Sequence, residues 1–391
     1  MAFDFDEVIE RRGTHCSKVD TLGARFGITD PDVIAMTVAD MDFRSPPAVN
    51  EAVRRLADDG VHGYFGDARA MKGAVIDWLA TRHGWTAEPD WIGTTQGLVS
   101  AIGLCIQAFT EPGQGVVVFS PAYHMFGNIV RATGRPLVES ELAIVQGRQQ
   151  MDLERLAAGL PEHARMVLLC SPHNPGGRVW SEDELRALAA FCIKRDLILV
   201  SDEIHHDLVF DGATHHVTAK AAPEVMDRLV TLVAPSKTFN IAGAQVGFTI
   251  ISNAELRRRL GAVAAAAGLG SPNRMGALMA TAAYAHGAEW LDALLPYLQG
   301  NRDTFNDALA RRIPGVRPMA LESTYLAWAD FSGLGMATDE LFRRAVERGR
   351  VVPHKGSIFG KGGDGWLRFN FAMPRPVLER AIDGLADAFA A

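Results

Sequence analysis

A lysine follows an apolar run directly in the segment APSKTFNIAG (234–243). Lys237 stands just beyond RLVTLVAP (228–235), among small and polar neighbours. Partial desolvation there lowers the pKa of an ammonium and makes the amine a nucleophile. A carboxylate closes another apolar run, Asp202 in SDEIHHDLVF (201–210). A buried aspartate needs a cationic or donating partner. A protonated pyridine nitrogen is such a partner, and pyridoxal-phosphate (PLP) chemistry requires an acid beside it. A helix cap or an ion pair is the plainer use of the same residue. Asn174, in SPHNPGGRVW (171–180), precedes Pro175 and a Gly-Gly turn that fixes its amide. It can donate to a ring oxygen, or be an ordinary turn asparagine. Gly97 in TTQGLVSAI (94–102) lets backbone N–H groups face an anion where a helix begins, a phosphate cradle if the glycine is not there for packing. Arg368, in LRFNFA (367–372), is a guanidinium on an apolar strand, suited to a substrate carboxylate or to a structural ion pair.

These residues need a scaffold that brings strand ends together. GVVVFSP (115–121), ARMVLLCSP (164–172), LILVSDEI (197–204), RLVTLVAP (228–235) and QVGFTIIS (245–252) read as short buried strands. Helical patterns lie between them, such as 181–196, where Ser181 and Glu184 form a capping-box signature. This alternation predicts an α/β fold with a mainly parallel sheet covered on both faces. Ligands in such folds sit beyond the carboxyl ends of the strands. Tyr123, Asn174, Asp202, Ser236 and Lys237 all fall there. From about residue 285 the rhythm changes to helices (288–312, 338–349, 375–390) and strands (323–331, 350–353, 365–372), a smaller α+β domain. The expected division is 46–284 as the large domain, 285–391 as the small one, and 1–45 as an irregular segment joining the small domain.

The chain has 391 residues, 48% of them hydrophobic, which is enough for more than one domain. The formal net charge of -7 comes without a basic run, so nucleic acid is not an expected partner. The first residues lack an apolar signal core, and no apolar stretch is long enough to span a bilayer. A cytoplasmic protein with free thiols at Cys16, Cys105, Cys170 and Cys192 is expected. His205, His206, His215 and His216 raise the question of a metal. Adjacent histidines on a strand point to opposite faces, and no carboxylate or cysteine set completes a recognised spacing, so no metal is expected. GKGGDG (360–365) precedes a strand and is not a dinucleotide fingerprint, which argues against a nicotinamide dehydrogenase.

Taken together, these residues resemble the fold type I PLP enzymes, the aspartate-aminotransferase-like class I/II superfamily. More closely, the chain resembles the cystathionine β-lyase (C–S lyase) branch of the MalY/PatB type. VADMDFRSPP (38–47), GYF (63–65), RHGW (82–85), PHNPGGRVW (172–180), SDEIHHDL (201–208), APSKTFNIAG (234–243), TYLAW (324–328) and LRFNFA (367–372) carry the likeness across nearly the whole chain. The resemblance implies that Lys237 holds PLP as a Schiff base and shuttles protons, and that Asp202 pairs with the pyridine nitrogen. It further implies that Tyr123 stacks on the ring and Asn174 bonds its oxygen, with His205 nearby. Gly97, Leu98 and Ser236 would hold the phosphate, and Arg368, with Asn174, the substrate carboxylate. Tyr64 would reach the phosphate of a neighbouring subunit, which implies a homodimer with shared active sites. Ordinary aminotransferases carry a tyrosine where this chain has His205 and an arginine where it has Gln245; both departures are typical of the lyase branch. The implied reaction is β-elimination from cystathionine or a related S-substituted cysteine. Transamination of an amino acid is the alternative, and a non-catalytic PLP-binding regulator a remote one. His354-Lys355 replaces the residues usual in VVPHKGSIFG (351–360), and would alter specificity if that loop faces the substrate.

Overall fold

The computed structural model describes residues 3–390. Its larger sheet has seven strands: β1 (Ile92–Thr95), β2 (Gly115–Ser120), β3 (Leu137–Glu141), β4 (Ala164–Cys170), β5 (Ile198–Asp202), β6 (Leu229–Val233) and β7 (Gly247–Ile250). Their order across the sheet is β1-β7-β6-β5-β4-β2-β3. Only β7 runs against its neighbours; the pairs from β6 to β3 are all parallel. The five expected strands are all present, and the expected mainly parallel α/β sheet is the observed one.

Alternation along each strand feeds two separate cores. Val117 and Phe119 of β2, with Val167 and Leu169 of β4, face one side. Val116, Val118, Met166 and Leu168 face the other, against the helix Leu98–Phe109. The capping box forms as the sequence indicates. Ser181 accepts from the Glu184 N–H at 3.2 Å, Glu184 accepts from the Ser181 N–H at 2.8 Å, and the helix Glu182–Lys194 starts there.

The second sheet is antiparallel: β8 (Arg317–Pro318), β9 (Leu326–Asp330), β10 (His354–Lys355) and β11 (Trp366–Asn370), in the order β8-β9-β11-β10. The helices Ala288–Arg312 and Arg375–Ala388 accompany it. Near the N-terminus, Ile34–Ala35 pairs in parallel with Val351–Val352. Residues 36–43 then form a strap over the carboxyl ends of the large sheet. Asn370 and Arg368 donate to the strap carbonyls of Val38 and Thr37, at 2.7 and 2.8 Å. Asn240 holds the other end, accepting from the Met41 N–H at 2.9 Å and donating to the Phe43 carbonyl at 2.8 Å.

One expectation needs correction. His205 and His206 are not on a strand; the chain leaves β5 at Asp202 and turns through residues 204–207. A turn frees adjacent side chains from opposite-face alternation. His83, His206, His215, Glu203 and Asp207 therefore meet in one buried cluster, with ligand-type atoms of each His-carboxylate triad within 4.8 Å of one another. Both carboxylates are already occupied by protein donors. Asp207 accepts from Trp78 (3.0 Å), His83 (2.8 Å) and Thr238 (2.7 Å). Glu203 accepts from Ser201, the Thr218 N–H and His215 at 2.9–3.0 Å. The cluster is a buried hydrogen-bonded network, and the Asp207–Thr238 contact pins the residue next to Lys237. Burial alone would raise the Asp207 carboxyl, but His206 at 3.2 Å and the hydrogen bond from His83 hold it well below its ordinary range. Asp207→Ala leaves buried donors unpaired, and is expected to cost about 3–5 kcal/mol of stability, read as a lower denaturant midpoint.

Candidate active site

At the carboxyl ends of β4, β5 and β6 lies a cavity of about 170 Å³. Tyr123, Asn174, Asp202, His205, Ser236, Lys237, Gly97 and Leu98 all line it, so the topology gathers eight of the expected site residues from five separate stretches of chain. Asp202 is the last residue of β5, and its side chain points into the cavity from the sheet edge. Its Oδ1 accepts from the Ile204 N–H at 3.1 Å. Burial pushes this carboxyl up to about 7, with the Ile204 hydrogen bond and Lys237 opposing. A carboxyl so placed calls for a cation or N–H donor from within the cavity.

Lys237 sits in the short helix Pro235–Thr238 that follows β6. Burial brings its ammonium down to about 8, opposed by Asp40. Its Nζ donates to the Ala39 carbonyl of the strap at 2.6 Å. Gly97 precedes the helix Leu98–Phe109 at φ +81°, a left-handed geometry that favours glycine, and the helix N-terminus opens toward the cavity. His205 is buried, with its Nδ1 free of protein partners. Burial first, then Lys237 and Arg368, keep its pKa well below 6.5, so it is neutral.

Arg368 is fully buried on β11 beside the cavity; its Nη1 donates to Asn174 Oδ1 at 2.9 Å. Burial lowers its pKa to about 10, which leaves it a cation at neutral pH. The donor set fits PLP. Asp202 suits a pyridinium, Asn174 a ring oxygen, Tyr123 a ring face, Gly97–Leu98 a phosphate and Lys237 an imine.

Tyr64 behaves differently. It is fully exposed and does not line the cavity of its own chain. Lys355 also points away, to Asp339 at 2.6 Å, so within the unusual His354-Lys355 pair only His354 faces inward. The residues missed in the sequence are those of the strap. The Ala39 carbonyl is shared by Lys237 and the Tyr325 hydroxyl, and the Thr37 carbonyl by Arg368. VADMDF marks the segment, but a carbonyl acceptor leaves no side-chain signature.

Residues 31–385 match the Aminotransferase class I and II family. The chain belongs to that family. Similar proteins include cystathionine beta-lyase PatB of Bacillus subtilis, 38% identical over 383 residues, which cover 98% of each chain. Cystalysin from Treponema denticola, whose crystal structure contains pyridoxal 5'-phosphate, superposes with a TM-score of 0.95 at 33% identity over 99% of both chains. The PLP-bound C–S lyase of Staphylococcus hominis gives a TM-score of 0.92 at 28% identity, covering 100% of this chain and 99% of its own. The family's aspartate-aminotransferase-like fold is thus the fold of this chain. No helix among the described residues is long and apolar enough to cross a membrane.

The neutral histidines around the site set a pH limit. Burial brings His173 down to about 3 and holds His205 and His354 well below 6.5. In the unfolded chain each takes up a proton near pH 6.5, whereas in the folded chain each does so only at lower pH. The unfolded state therefore binds more protons below pH 6.5, and stability is lost as pH falls through that window. Each histidine is expected to remove on the order of 1 kcal/mol by pH 5.5. Denaturant titrations from pH 7.5 to 5.5 check this; a midpoint that holds constant contradicts it.

Proposed function

We propose that the chain is a PLP-dependent carbon–sulfur lyase, performing β-elimination on cystathionine or a related S-substituted cysteine to give pyruvate, ammonia and a thiol. The observation that carries the chemistry is one cavity in which a lysine of depressed pKa and a buried carboxylate face each other beside an arginine. The likeness to PatB over nearly the full length selects lyase over transaminase.

Bound PLP supplies an electron sink for the pair left when the substrate Cα loses its proton. The chain's residues do the rest. Asp202 keeps a ring nitrogen protonated, since a carboxyl that costs this much to bury gains most from a cation. Arg368 and Asn174 hold the substrate carboxylate, which fixes the Cα–H bond relative to the cofactor plane. Lys237, with a pKa of about 8, is partly neutral at physiological pH and takes the Cα proton. The Cβ–S bond then breaks, and the sulfur leaves with its electron pair as thiolate. The unsaturated amino acid that remains reacts with water to give pyruvate and ammonia. His205, neutral beside Lys237, adds no second cation to the cavity.

The same reading includes a homodimer. Gly60–Asp67 is an exposed segment in which Val61 and Tyr64 are bare to solvent. Exposed aromatic and aliphatic groups together suit an interface, and the partner's phosphate site would receive Tyr64. The division into a large domain (46–284) and a small one (285–391), joined by 1–45, belongs to this reading as well.

Purified holoenzyme given cystathionine or another S-substituted cysteine is expected to release thiol and pyruvate in equal amounts with no added keto acid, and Lys237→Ala to abolish both. Amino-group transfer to an added oxo acid without thiol would establish the aminotransferase instead. Tyr64→Phe is expected to weaken PLP retention by roughly 1 kcal/mol or more, the worth of one hydrogen bond to a charged group. Dialysis against phosphate, followed by cofactor absorbance, measures it; retention equal to the parent enzyme removes Tyr64 from the site.

A further inference from the structure

The inward-facing member of the His354-Lys355 pair touches the substrate arginine. His354 lies directly across the β10–β11 ladder from Arg368, on the same face of the sheet. Its Nδ1 is 2.8 Å from Arg368 Nη2, and both side chains are buried. A guanidinium has no lone pair to offer, so the imidazole must accept, with its proton on Nε2. Burial and the Arg368 charge favour this neutral form.

The donor inventory of Arg368 shows what the contact does. Five N–H groups are available. Asn174 Oδ1 takes one from Nη1; the Thr37 carbonyl and His354 Nδ1 take the two on Nη2. Phe359 covers the guanidinium from one face at 4.8 Å. Nε has no protein partner. Asn174, Thr37 and His354 thus fix the plane of the fork from three directions and leave Nε–H and one Nη1–H for a ligand. Of these three contacts, only those of Asn174 and His354 come from side chains, and Asn174 is already committed to the cofactor cavity.

We infer that His354 is a positioning residue for Arg368 and so sets how tightly the enzyme grips the carboxylate of its substrate. The inference rests on Arg368 being the carboxylate clamp of the proposed function. It does not depend on whether the bound amino acid is then cleaved or transaminated. The Oδ1 of an asparagine stands at the same bond count from the backbone as His354 Nδ1, and can accept the same hydrogen bond. A glutamine places its amide one bond further out, near Nε2.

The test uses holoenzyme and calorimetric binding of alanine, which has no β leaving group, against alaninamide, which has no carboxylate. His354→Ala is expected to weaken alanine about tenfold or more, the worth of a hydrogen bond to a charged group, and to leave alaninamide within about twofold. His354→Asn is expected to restore alanine binding to within about threefold, and His354→Gln not to. With thioether substrate, KM is expected to rise in His354→Ala while kcat stays within about threefold. Equal losses for alanine and alaninamide, or failure of His354→Asn to rescue a folded protein, would overturn the inference. Arg368→Ala is the control for the reading beneath it. If that variant also loses both ligands equally, the clamp assignment fails, whereas intact discrimination by Arg368 with no effect of His354→Ala refutes the role of His354 alone.

Discussion

A carboxylate placed at the end of a buried strand must find a positive partner or give up its charge, and much of this molecule is arranged around that condition. Asp202 is buried at the edge of a cavity, and burial raises its pKa to about 7 against the one backbone N–H it receives. Lys237 stands across the same cavity with the opposite shift, down to about 8. Two groups that ought to be fully charged in water are each held near the midpoint of their titration by the same desolvation. A flat heterocycle with a basic nitrogen and an aldehyde satisfies both at once. The cavity is therefore built for a guest that completes the charge balance, and its chemistry follows from that guest.

Much of this was legible beforehand because strand ends are where sequence and site coincide. RLVTLVAP followed by Ser-Lys, and LILVSD followed by Glu-Ile-His, each announce a buried strand and the side chain that emerges from it, and both proved to be so placed. Helix starts were equally readable, since Ser181 and Glu184 signal through local hydrogen bonds. What stayed hidden depends on distant chain. Opposite-face alternation of His205 and His206 presumes a strand, yet β5 stops at Asp202 and the turn sends His206 into a cluster with His83, more than a hundred residues away. The inward turn of His354 and the outward turn of Lys355 follow from the pairing of β10 with β11, which no local pattern encodes.

The two sheets are coupled at the site by polar contacts rather than by a shared apolar face alone. Arg368 and Asn370, adjacent inward positions of β11, hold the strap, while Asn240 beyond Lys237 holds its far end. The strap carbonyl of Ala39 meets both the lysine and Tyr325. Any movement of the small sheet toward the large one thus acts on the acceptor of the lysine and on the orientation of the arginine together, since a single peptide segment lies between them.

That segment also limits how the gene can change. Eight residues, 36–43, carry anchors at both ends, one set from β11 of the smaller sheet and the other from Asn240 beyond β6 of the larger one. Adding or removing one residue would shift every carbonyl beyond it by about 3.3 Å. It would also rotate the Thr37 and Ala39 oxygens away from Arg368 and Lys237. Insertions and deletions that surface loops absorb freely are excluded here. Side chains such as Val38 and Met41 can drift while the number of peptide units cannot, so in a lineage descending from this chain the spacing between Ile34 and Asn240's contact at Met41 would outlast the identities of the residues that span it.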